Sequence, residues 1–400
     1  MRILICATEA PLPPVNGFRR MLTAVTSELR REHDIRVLAF RAPDQVRAST
    51  DESLRLLPQP EDAFPASVMR TARAVAQGRP LRADRLAAPM VEPLRAELAS
   101  FGPEVVHVTS GRLAGLGRTL ADHPAVLGAL DAMHLNTEAR ALIASGLRRR
   151  LLRMEIGRVR KFESTEYSRF LRVTVVSEAD RAALLEVDPS LEIDVIPNGV
   201  DVEFFSPGHE ATPMPDRRRI VFTGVMSYAP NVGAAEFLAL EVFPRVRRHR
   251  PDARLAIVGR APSPRVRALG DAPGVEVPGE VPDLRVPLRE SRVFACPMTS
   301  GTGIKNKLLE AIACGLPCVA TPLALQGLTA VPGQHVLVGE NADELSAQIV
   351  RVLADDELAS RLGAAAREYV CSAHDWRATV RAYVRVWEEA RTAAKEATGS

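Results

Sequence analysis

Short apolar runs that alternate with amphipathic stretches constrain the fold of this chain more than any other feature. Residues 3–7 (ILICA) form a continuous apolar run, apolar side chains then recur at helical spacing from Met21 to Leu29, and residues 35–40 form another apolar run. A strand that is buried on both faces of a parallel sheet has this continuous apolar character. The pattern therefore predicts a β-loop-α-β unit, which packs right-handed onto a parallel sheet.

The same pattern occurs twice, on either side of a proline-rich segment. Residues 197–219 contain four prolines and two glycines and show neither helical nor strand periodicity. Further strands are predicted before this segment at 105–110, 125–130 and 173–177, and after it at 219–224, 254–258, 275–279, 293–298 and 318–321. We predict an α/β protein of two doubly wound, Rossmann-like domains facing a cleft, because open parallel sheets bind ligands at the carboxyl ends of their strands.

Length and composition agree with a two-domain globular protein. The chain has 400 residues, 46% of them hydrophobic and 25% charged, and a net charge of +3 that does not call for a nucleic-acid partner. No apolar run approaches the roughly 20 residues that span a bilayer, and the N-terminus resembles neither a signal peptide nor an anchor. We expect a cytoplasmic protein.

The cysteines argue against both disulfides and a metal site. There are five, an odd number, and most lie in apolar runs, which is typical of reduced structural thiols. Cys314 and Cys318 are the only close pair, and no second Cys or His pair lies near them in the sequence. We therefore predict no metal and no cofactor.

Residues 299–321 (TSGTGIKNKLLEAIACGLPCVAT) carry the most specific signal for function. Thr299–Gly303 is predicted to be a turn, and a helix is predicted from about Ile304 to Cys314. Two of the four lysines of the chain, Lys305 and Lys307, lie where this helix begins. Lysines are unfavourable at the positive end of a helix unless an anion is present.

A nucleoside diphosphate would account for this arrangement. Its diphosphate would bind Lys305, Lys307 and the free N–H groups of the turn, and Glu310 would accept two hydrogen bonds from ribose hydroxyls. The alternative is an ordinary capped helix with exposed lysines and with Glu310 paired to an arginine.

At this point the sequence resembles glycosyltransferase family 4. The segment SGTGIKNKLLEAIACGLPCVATPLALQGL is similar to the donor-site signature of that family, and HDWRATVRAYVRVW (374–387) is similar to its final helix. VIPNGVDVEFF (195–205), FTGVMSYAPN (222–231) and PGEVPD (278–283) also resemble family segments. The resemblance implies a retaining enzyme of GT-B architecture that moves a sugar from a nucleoside-diphosphate sugar to a hydroxyl acceptor, without a metal.

The resemblance also suggests the domain boundaries. An acceptor-side domain would comprise residues 1–200, a linker 201–218 and a donor-binding domain 219–375. The last residues, 376–400, would form a helix that crosses back to the first domain.

Donor-binding residues can be transferred from the family position by position, with two departures. Glu310 matches the ribose-binding glutamate, whereas Thr302 stands where the family often has a second glutamate. Val225 and Asn231 stand where an arginine and a lysine are usual, which would place more of the phosphate charge on the two lysines. The predicted donor-binding residues are Gly17, Gly224, Asn231, Arg260, Val281, Gly301, Thr302, Gly303, Ile304, Lys305, Lys307 and Glu310. For Gly17 the alternative is a simple turn, and for Arg260 it is a surface arginine.

In the family's proposed mechanism the leaving phosphate itself takes the proton of the acceptor. We predict Lys305 first and Lys307 second as the groups that stabilise this phosphate. Asp131 and His134, which follow the strand 125–130, are the predicted catalytic residues on the acceptor side. Surface exposure is the alternative for His134, and His107 is predicted to be structural.

Two further readings stay open. Residues 146–161 contain seven basic residues and one acid, so this helix either rests on an anionic membrane or is a solvated helix.

The function also has alternatives. Thr302, Val225 and Asn231 motivate a catalytically impaired relative that only binds a sugar nucleotide, and epimerisation of a sugar nucleotide is a further alternative. The arginine-rich composition indicates a bacterium with a GC-rich genome, in which polysaccharides, glycolipids and small metabolites are all candidate acceptors.

Overall fold

The computed structural model describes residues 1–12, 17–41, 51, 53–60, 69, 74, 76, 78–81, 84–208, 216–301 and 303–398. The chain divides into two compact units. Unit 1 comprises Met1–Pro197 and Thr379–Ser400, and unit 2 comprises Asn198–Ala378. The division falls at Pro197, just before the predicted linker, and residues 209–215 of that linker lie outside the described part of the chain.

Unit 1 contains a parallel sheet of seven strands. In chain order they are β1 (Arg2–Ala7), β2 (Asp34–Phe40), β3 (Leu54–Leu57), β4 (Val105–Val108), β5 (Ala125–Leu130), β6 (Arg172–Val175) and β7 (Ile193–Val195). Their order across the sheet is β3-β2-β1-β4-β5-β6-β7. Ile3 of β1 pairs with Ile35 on one side and Val105 on the other, and all three side chains are buried. Burial of both sheet faces explains the continuous apolar runs.

Helices accompany this sheet. They are α1 (Gly17–Leu29), α2 (Asp84–Phe101), a 3-10 helix (Gly111–Arg118), α3 (Met133–Ile143), α4 (Gly146–Tyr167) and α5 (Glu178–Val187). The C-terminal helix, Trp376–Thr398, contributes its residues from Thr379 onward to unit 1. Its Trp387 is fully buried, and the indole N–H donates to Nδ1 of His107 at 3.3 Å.

Unit 2 contains a second parallel sheet, of six strands. They are β8 (Asp216–Thr223), β9 (Arg254–Val258), β10 (Val275–Gly279), β11 (Ser291–Cys296), β12 (Cys318–Ala320) and β13 (Leu337–Val338), in the order β10-β9-β8-β11-β12-β13. The helices are α6 (Ala229–Phe237), a π turn (Leu238–Val242), α7 (Phe243–His249), α8 (Pro264–Ala268), α9 (Arg285–Arg289), α10 (Asn306–Ala313), α11 (Ala342–Ala354) and α12 (Asp356–Ala373), with 3-10 turns at Leu269–Asp271 and Pro322–Leu325.

Two parallel, Rossmann-like sheets confirm the predicted fold class. The strands β3, β7 and β13 were not predicted. β3 (LRLL) and β7 (IDV) each include a charged residue, and β13 has only two residues, so none of them shows a continuous apolar run. The helix predicted from Ile304 begins at Asn306, because Lys305 has non-helical backbone angles of φ −88° and ψ 87°. Within the described residues, no helix has the length and apolar character needed to cross a membrane.

Candidate active site

The predicted donor-binding residues of unit 2 follow the carboxyl ends of four neighbouring strands. Gly224 follows β8, Arg260 follows β9, Val281 follows β10, and the turn that precedes Lys305 follows β11. These four strands lie side by side in the order β10-β9-β8-β11. Since the strands are parallel, their carboxyl ends lie at the same edge of the sheet, which is where such sheets bind ligands.

Two glycines let the backbones of β8 and β9 approach closely at this edge. A Cβ atom on Gly259 would lie 1.7 Å from the carbonyl oxygen of Gly224, and Gly259 has a φ of +149°. A Cβ on Gly224 would lie 2.8 Å from Nδ2 of Asn231 and 3.1 Å from Nζ of Lys307. Both positions therefore exclude larger residues, and Gly224 borders the two polar side chains directly.

The turn after β11 wraps around the ammonium group of Lys305. Gly301 and Gly303 have φ angles of +102° and +72°, which favour glycine. Their carbonyl oxygens accept hydrogen bonds from Nζ of Lys305 at 3.2 Å and 2.5 Å. Lys305 is only 6% exposed, and its burial lowers its pKa. Ile304 is buried, and Thr302 lies outside the described residues.

Lys307 lies among neutral groups. Its Nζ donates to Oδ1 of Asn231, lies 3.8 Å from the sulfur of Met298, and is 4.7 Å from the centre of the Phe222 ring. Burial lowers the pKa of Lys307 to about 8, and Cys296 and Glu310 oppose this shift. In the part of the chain that the structure describes, neither Lys305 nor Lys307 has a carboxylate at ion-pair distance.

Asn231 is a residue whose role the sequence alone did not reveal. The sequence predicts it as a donor-binding residue at a position where a lysine is usual, without indicating its partners. In the structure it is buried on the first turn of α6, its Nδ2 donates to the carbonyl oxygen of Val225 at 3.0 Å, and its Oδ1 accepts from Lys307. Asn231 and Lys307 both lie on the first turns of helices that follow β8 and β11, which are neighbours in the sheet. The adjacency of β8 and β11 in the sheet is the feature that could have identified the contact between Asn231 and Lys307.

The remaining predicted donor residues line the same edge. Glu310 lies on α10, three residues after Lys307, and is 7% exposed to solvent. Arg260 and Val281 are partly exposed, and Nε of Arg260 is buried without a hydrogen-bond partner among the described residues. The role of Arg260 in donor binding stays a prediction.

On the acceptor side, Asp131 follows a strained residue at the carboxyl end of β5. Leu130 has a φ of +70°, which is rare for a residue with a side chain, and the pairing of β5 with β6 shifts register between Gly128 and Leu130. Oδ2 of Asp131 accepts a hydrogen bond from Asn136 at 2.7 Å. Burial raises the pKa of Asp131 even though this hydrogen bond opposes the shift.

The side chain of His134 is buried, whereas the sequence suggested that it faces either an acceptor or the solvent. It has no exposed surface, its Nδ1 is 2.6 Å from Oε2 of the equally buried Glu163, and its backbone N–H donates to Oε1 of the same residue at 3.2 Å. A side chain with no exposed surface contacts no acceptor in this conformation, and it is not a surface histidine either. We assign His134 a structural role, which joins α3 to α4.

Two other predictions concern residues of unit 1. His107 is structural as expected: it is buried between Trp387 and Tyr383, and burial lowers its pKa to about 3. Gly17 is the first residue of α1, while Asn16 before it lies outside the described residues. The role of Gly17 in donor binding stays a prediction.

The five cysteines and the potential metal ligands were the subject of two further predictions. Cys6, Cys296, Cys314 and Cys318 are buried and Cys371 is partly exposed, and all five are free. Among the described residues, no group of three or more His, Cys, Asp or Glu side chains is arranged to hold a metal ion. The expectation of a metal-free reaction stays a prediction.

Comparison with solved structures defines the class of fold. Sucrose-phosphate synthase from Thermosynechococcus elongatus matches with a TM-score of 0.72 over 98% of this chain and 100% of its own, at 19% identity. At this identity the likeness shows the fold alone, which is the GT-B fold of glycosyltransferases.

Family profiles identify the chain more closely. The profile described as Glycosyltransferase Family 4 matches residues 15–204, and the profile described as Glycosyl transferases group 1 matches residues 217–355. The chain belongs to glycosyltransferase family 4.

Two curated relatives with known activities are similar to about half of this chain. A GDP-mannose-dependent alpha-(1-6)-phosphatidylinositol monomannoside mannosyltransferase of Mycolicibacterium smegmatis is 29% identical over 51% of this chain and 59% of its own length. A phosphatidyl-myo-inositol mannosyltransferase of the same organism is 30% identical over 48% of this chain and 51% of its own length. The chain spans between half and three-fifths of the length of these relatives.

Proposed function

We propose that this protein transfers a sugar from a nucleoside-diphosphate sugar to a hydroxyl acceptor, with retention of the anomeric configuration. The observation that supports this most is the pair of lysines at the shared carboxyl edge of β8 and β11, which have neutral hydrogen-bond partners. A cation removed from water without a counter-charge is costly, and a bound diphosphate would supply that charge. The glycines beside them are consistent with this, since Gly224 and Gly259 let the backbones of β8 and β9 pack closely at the edge of the sheet where the two lysines lie.

The chemistry follows from where charge develops. When the bond between the sugar and the diphosphate breaks, negative charge grows on the leaving phosphate oxygen. Fixed cations and N–H donors at that oxygen stabilise it, and loss of one such donor typically lowers the rate about 10²–10³-fold. In the proposed reaction the leaving phosphate takes the proton of the acceptor hydroxyl on the same face of the sugar, so the configuration is retained without a metal.

The curated relatives indicate which donor to test first. Both the monomannoside mannosyltransferase and a mannosyltransferase of Xanthomonas oryzae pv. oryzae, which is 27% identical over 55% of this chain, are named for GDP-mannose. We propose GDP-mannose as the first donor and a lipid-linked hydroxyl as the first acceptor.

Calorimetry with GDP, UDP, ADP and dTDP tests the donor site, and NMR of the product from GDP-mannose tests retention. If none of the nucleotides binds, the proposed function is wrong. If a nucleotide binds but GDP-mannose and UDP-glucose are neither hydrolysed nor transferred, the binding-only alternative is favoured instead.

We also propose that α4 rests on the cytoplasmic face of a membrane. Leu147, Leu151 and Met154 lie on one face of this helix at spacings of four and three residues, and they are 72%, 56% and 58% exposed. Exposed arginines at positions 148 and 150 flank this face. Apolar side chains flanked by arginines fit an anionic lipid surface better than water.

Cosedimentation with vesicles tests this contact. The wild type should pellet with vesicles that contain phosphatidylglycerol and not with pure phosphatidylcholine, and the variant Leu147→Ser/Leu151→Ser/Met154→Ser should stay in the supernatant. A matched control is Leu240→Ser in unit 2, which is 60% exposed and lies outside α4. Equal pelleting of the triple variant and the wild type would refute the contact.

A further inference from the structure

The two lysines of the donor site have different surroundings, although the sequence places them only two residues apart. Lys305 Nζ donates to the carbonyl oxygens of Gly301 and Gly303 in its own turn. Lys307 Nζ instead crosses to a different helix and donates to Asn231. The two ammonium groups therefore have different hydrogen-bond partners.

Lys305 holds the conformation of the turn. Gly301 and Gly303 both have positive φ angles, and both direct their carbonyl oxygens toward the same ammonium group. In a planar trans peptide the N–H points opposite to the C=O. The N–H of Ile304 therefore points away from Lys305, on the opposite side of its peptide from the carbonyl of Gly303. An ammonium group that is already shared between two carbonyl oxygens has less capacity left for a ligand.

Lys307 is held in place, and among the described residues no carboxylate lies at ion-pair distance from it. The amide group of Asn231 is oriented by its own hydrogen bond to Val225, so its oxygen faces Lys307. The ring of Phe222 and the sulfur of Met298 complete the neutral surroundings. The ionisable groups that influence Lys307 are the thiol of Cys296 on β11, the carboxyl of Glu310 on α10, and Lys305.

We propose that Lys307, positioned by Asn231, is the cation that binds the diphosphate of the donor, whereas Lys305 is a positioning residue that shapes the turn. This inference rests on the proposed function. It reverses the order that the sequence suggested, in which Lys305 came first. It also explains the asparagine at position 231: a hydrogen-bond acceptor at this site fixes a lysine that comes from the neighbouring helix.

Binding of a diphosphate to Lys307 should be coupled to uptake of a proton. Because burial lowers the pKa of Lys307 to about 8, a fraction of this side chain is neutral in the free protein at mildly alkaline pH. A bound diphosphate favours the charged form and raises the pKa. Binding at pH 8.5 should therefore take up a proton, and nucleotide affinity should fall as the pH rises above the free-protein pKa.

Calorimetry at several pH values between 7.0 and 8.5, below the range in which the ring N–H groups of guanine and uracil titrate, measures this uptake with GDP and UDP as probes in two buffers of different ionisation enthalpy. The nucleotide phosphates do not titrate in this range, since their last pKa is about 6. At pH 8.5 we expect uptake of about three-quarters of a proton in the wild type, from a free pKa of about 8.

Four variants separate the roles of the residues. Lys307→Met should bind at least tenfold more weakly and take up no proton, and Lys307→Arg should recover affinity without uptake, because a guanidinium does not titrate. Asn231→Ala should weaken binding and still take up a proton. Lys305→Met should keep the uptake, displaced to higher pH by loss of a repulsive charge, and its free form should show faster hydrogen exchange at Gly303 and Ile304.

The outcomes that would overturn the inference are specific. Proton uptake that survives in Lys307→Met, or that disappears in Lys305→Met, would show that the roles are assigned wrongly. Binding to the wild type without any uptake would also refute it and would leave the proposed function intact. Absence of nucleotide binding to the wild type would instead refute the proposed function itself.

Discussion

Substitution of Gly224 by alanine is the sharpest test of the donor-site geometry. The new Cβ would lie 2.8 Å from Nδ2 of Asn231 and 3.1 Å from Nζ of Lys307. Ordinary contacts between such atoms are about 3.5 Å or longer. Both side chains must therefore move apart from Gly224, and Asn231 cannot move without straining its hydrogen bonds to Val225 and from Lys307.

The expected size of the effect follows from these contacts. A hydrogen bond to a charged group contributes about 1.5–3 kcal/mol. Since 1.4 kcal/mol corresponds to about a tenfold change in an equilibrium constant, Gly224→Ala should raise the Kd for the nucleotide about ten- to a hundredfold. Isothermal calorimetry with the nucleotide that the wild type prefers measures this change.

A matched control lies nine residues further along the chain. A Cβ on Gly233, in α6, would meet no atom within 4 Å, and alanine is favoured over glycine in a helix by about 1 kcal/mol. Gly233→Ala should therefore bind nucleotide like the wild type and melt at an equal or higher temperature. If Gly224→Ala is folded and binds nucleotide with the affinity of this control, Asn231 and Lys307 are not part of the donor site.

Three further predictions concern other parts of the molecule. Asp131→Asn should reduce sugar transfer at least a hundredfold in a radiolabelled-donor assay while GDP affinity is unchanged, and retained transfer would exclude Asp131 from the acceptor site. Because burial lowers the pKa of His107 to about 3 while the unfolded chain titrates near 6.5, the unfolded state binds more protons between these values, so acid should destabilise unit 1 below pH 6.5. His107→Gln should flatten the dependence of the melting temperature on pH between 6.5 and 4, and an unchanged slope would contradict this cause. Among the five thiols, only that of Cys371 should react with a thiol reagent in the native protein, whereas all five should react in denaturant, and fast native labelling of a second thiol would show that the apolar strands open.

The architecture was largely readable from the sequence. The strands β1, β2, β4, β5 and β9 were predicted within about one residue of their ends or with a short overrun, because a strand buried on both faces must be apolar throughout. The helix that follows Lys305 and carries Lys307 was predicted within two residues at its start, because Gly301, Gly303 and Gly315 mark its limits and have positive φ angles in the structure. The two-sheet organisation followed from repetition of this pattern.

The acceptor side shows where local sequence was insufficient. Asp131 and His134 were both predicted as catalytic residues, with surface exposure as the alternative for His134, but Asp131 is partly exposed and His134 has no exposed surface. The partner of His134 is Glu163, which comes from a different helix. The residues next to a histidine in the sequence do not specify which distant carboxylate will be its hydrogen-bond partner in the folded protein.

By itself the sequence determined the parallel sheets, the glycine turn and the presence of two lysines after β11, since these depend on periodicity and on residue types close in the chain. Only the tertiary structure decided what each lysine does. The order β8-β11 brings Asn231 to Lys307 across 76 positions of sequence, whereas Lys305 returns to the carbonyl oxygens of its own turn. The physical reason is that a hydrogen bond depends on the position of its partner in space, and sheet order, which no local pattern encodes, sets that position.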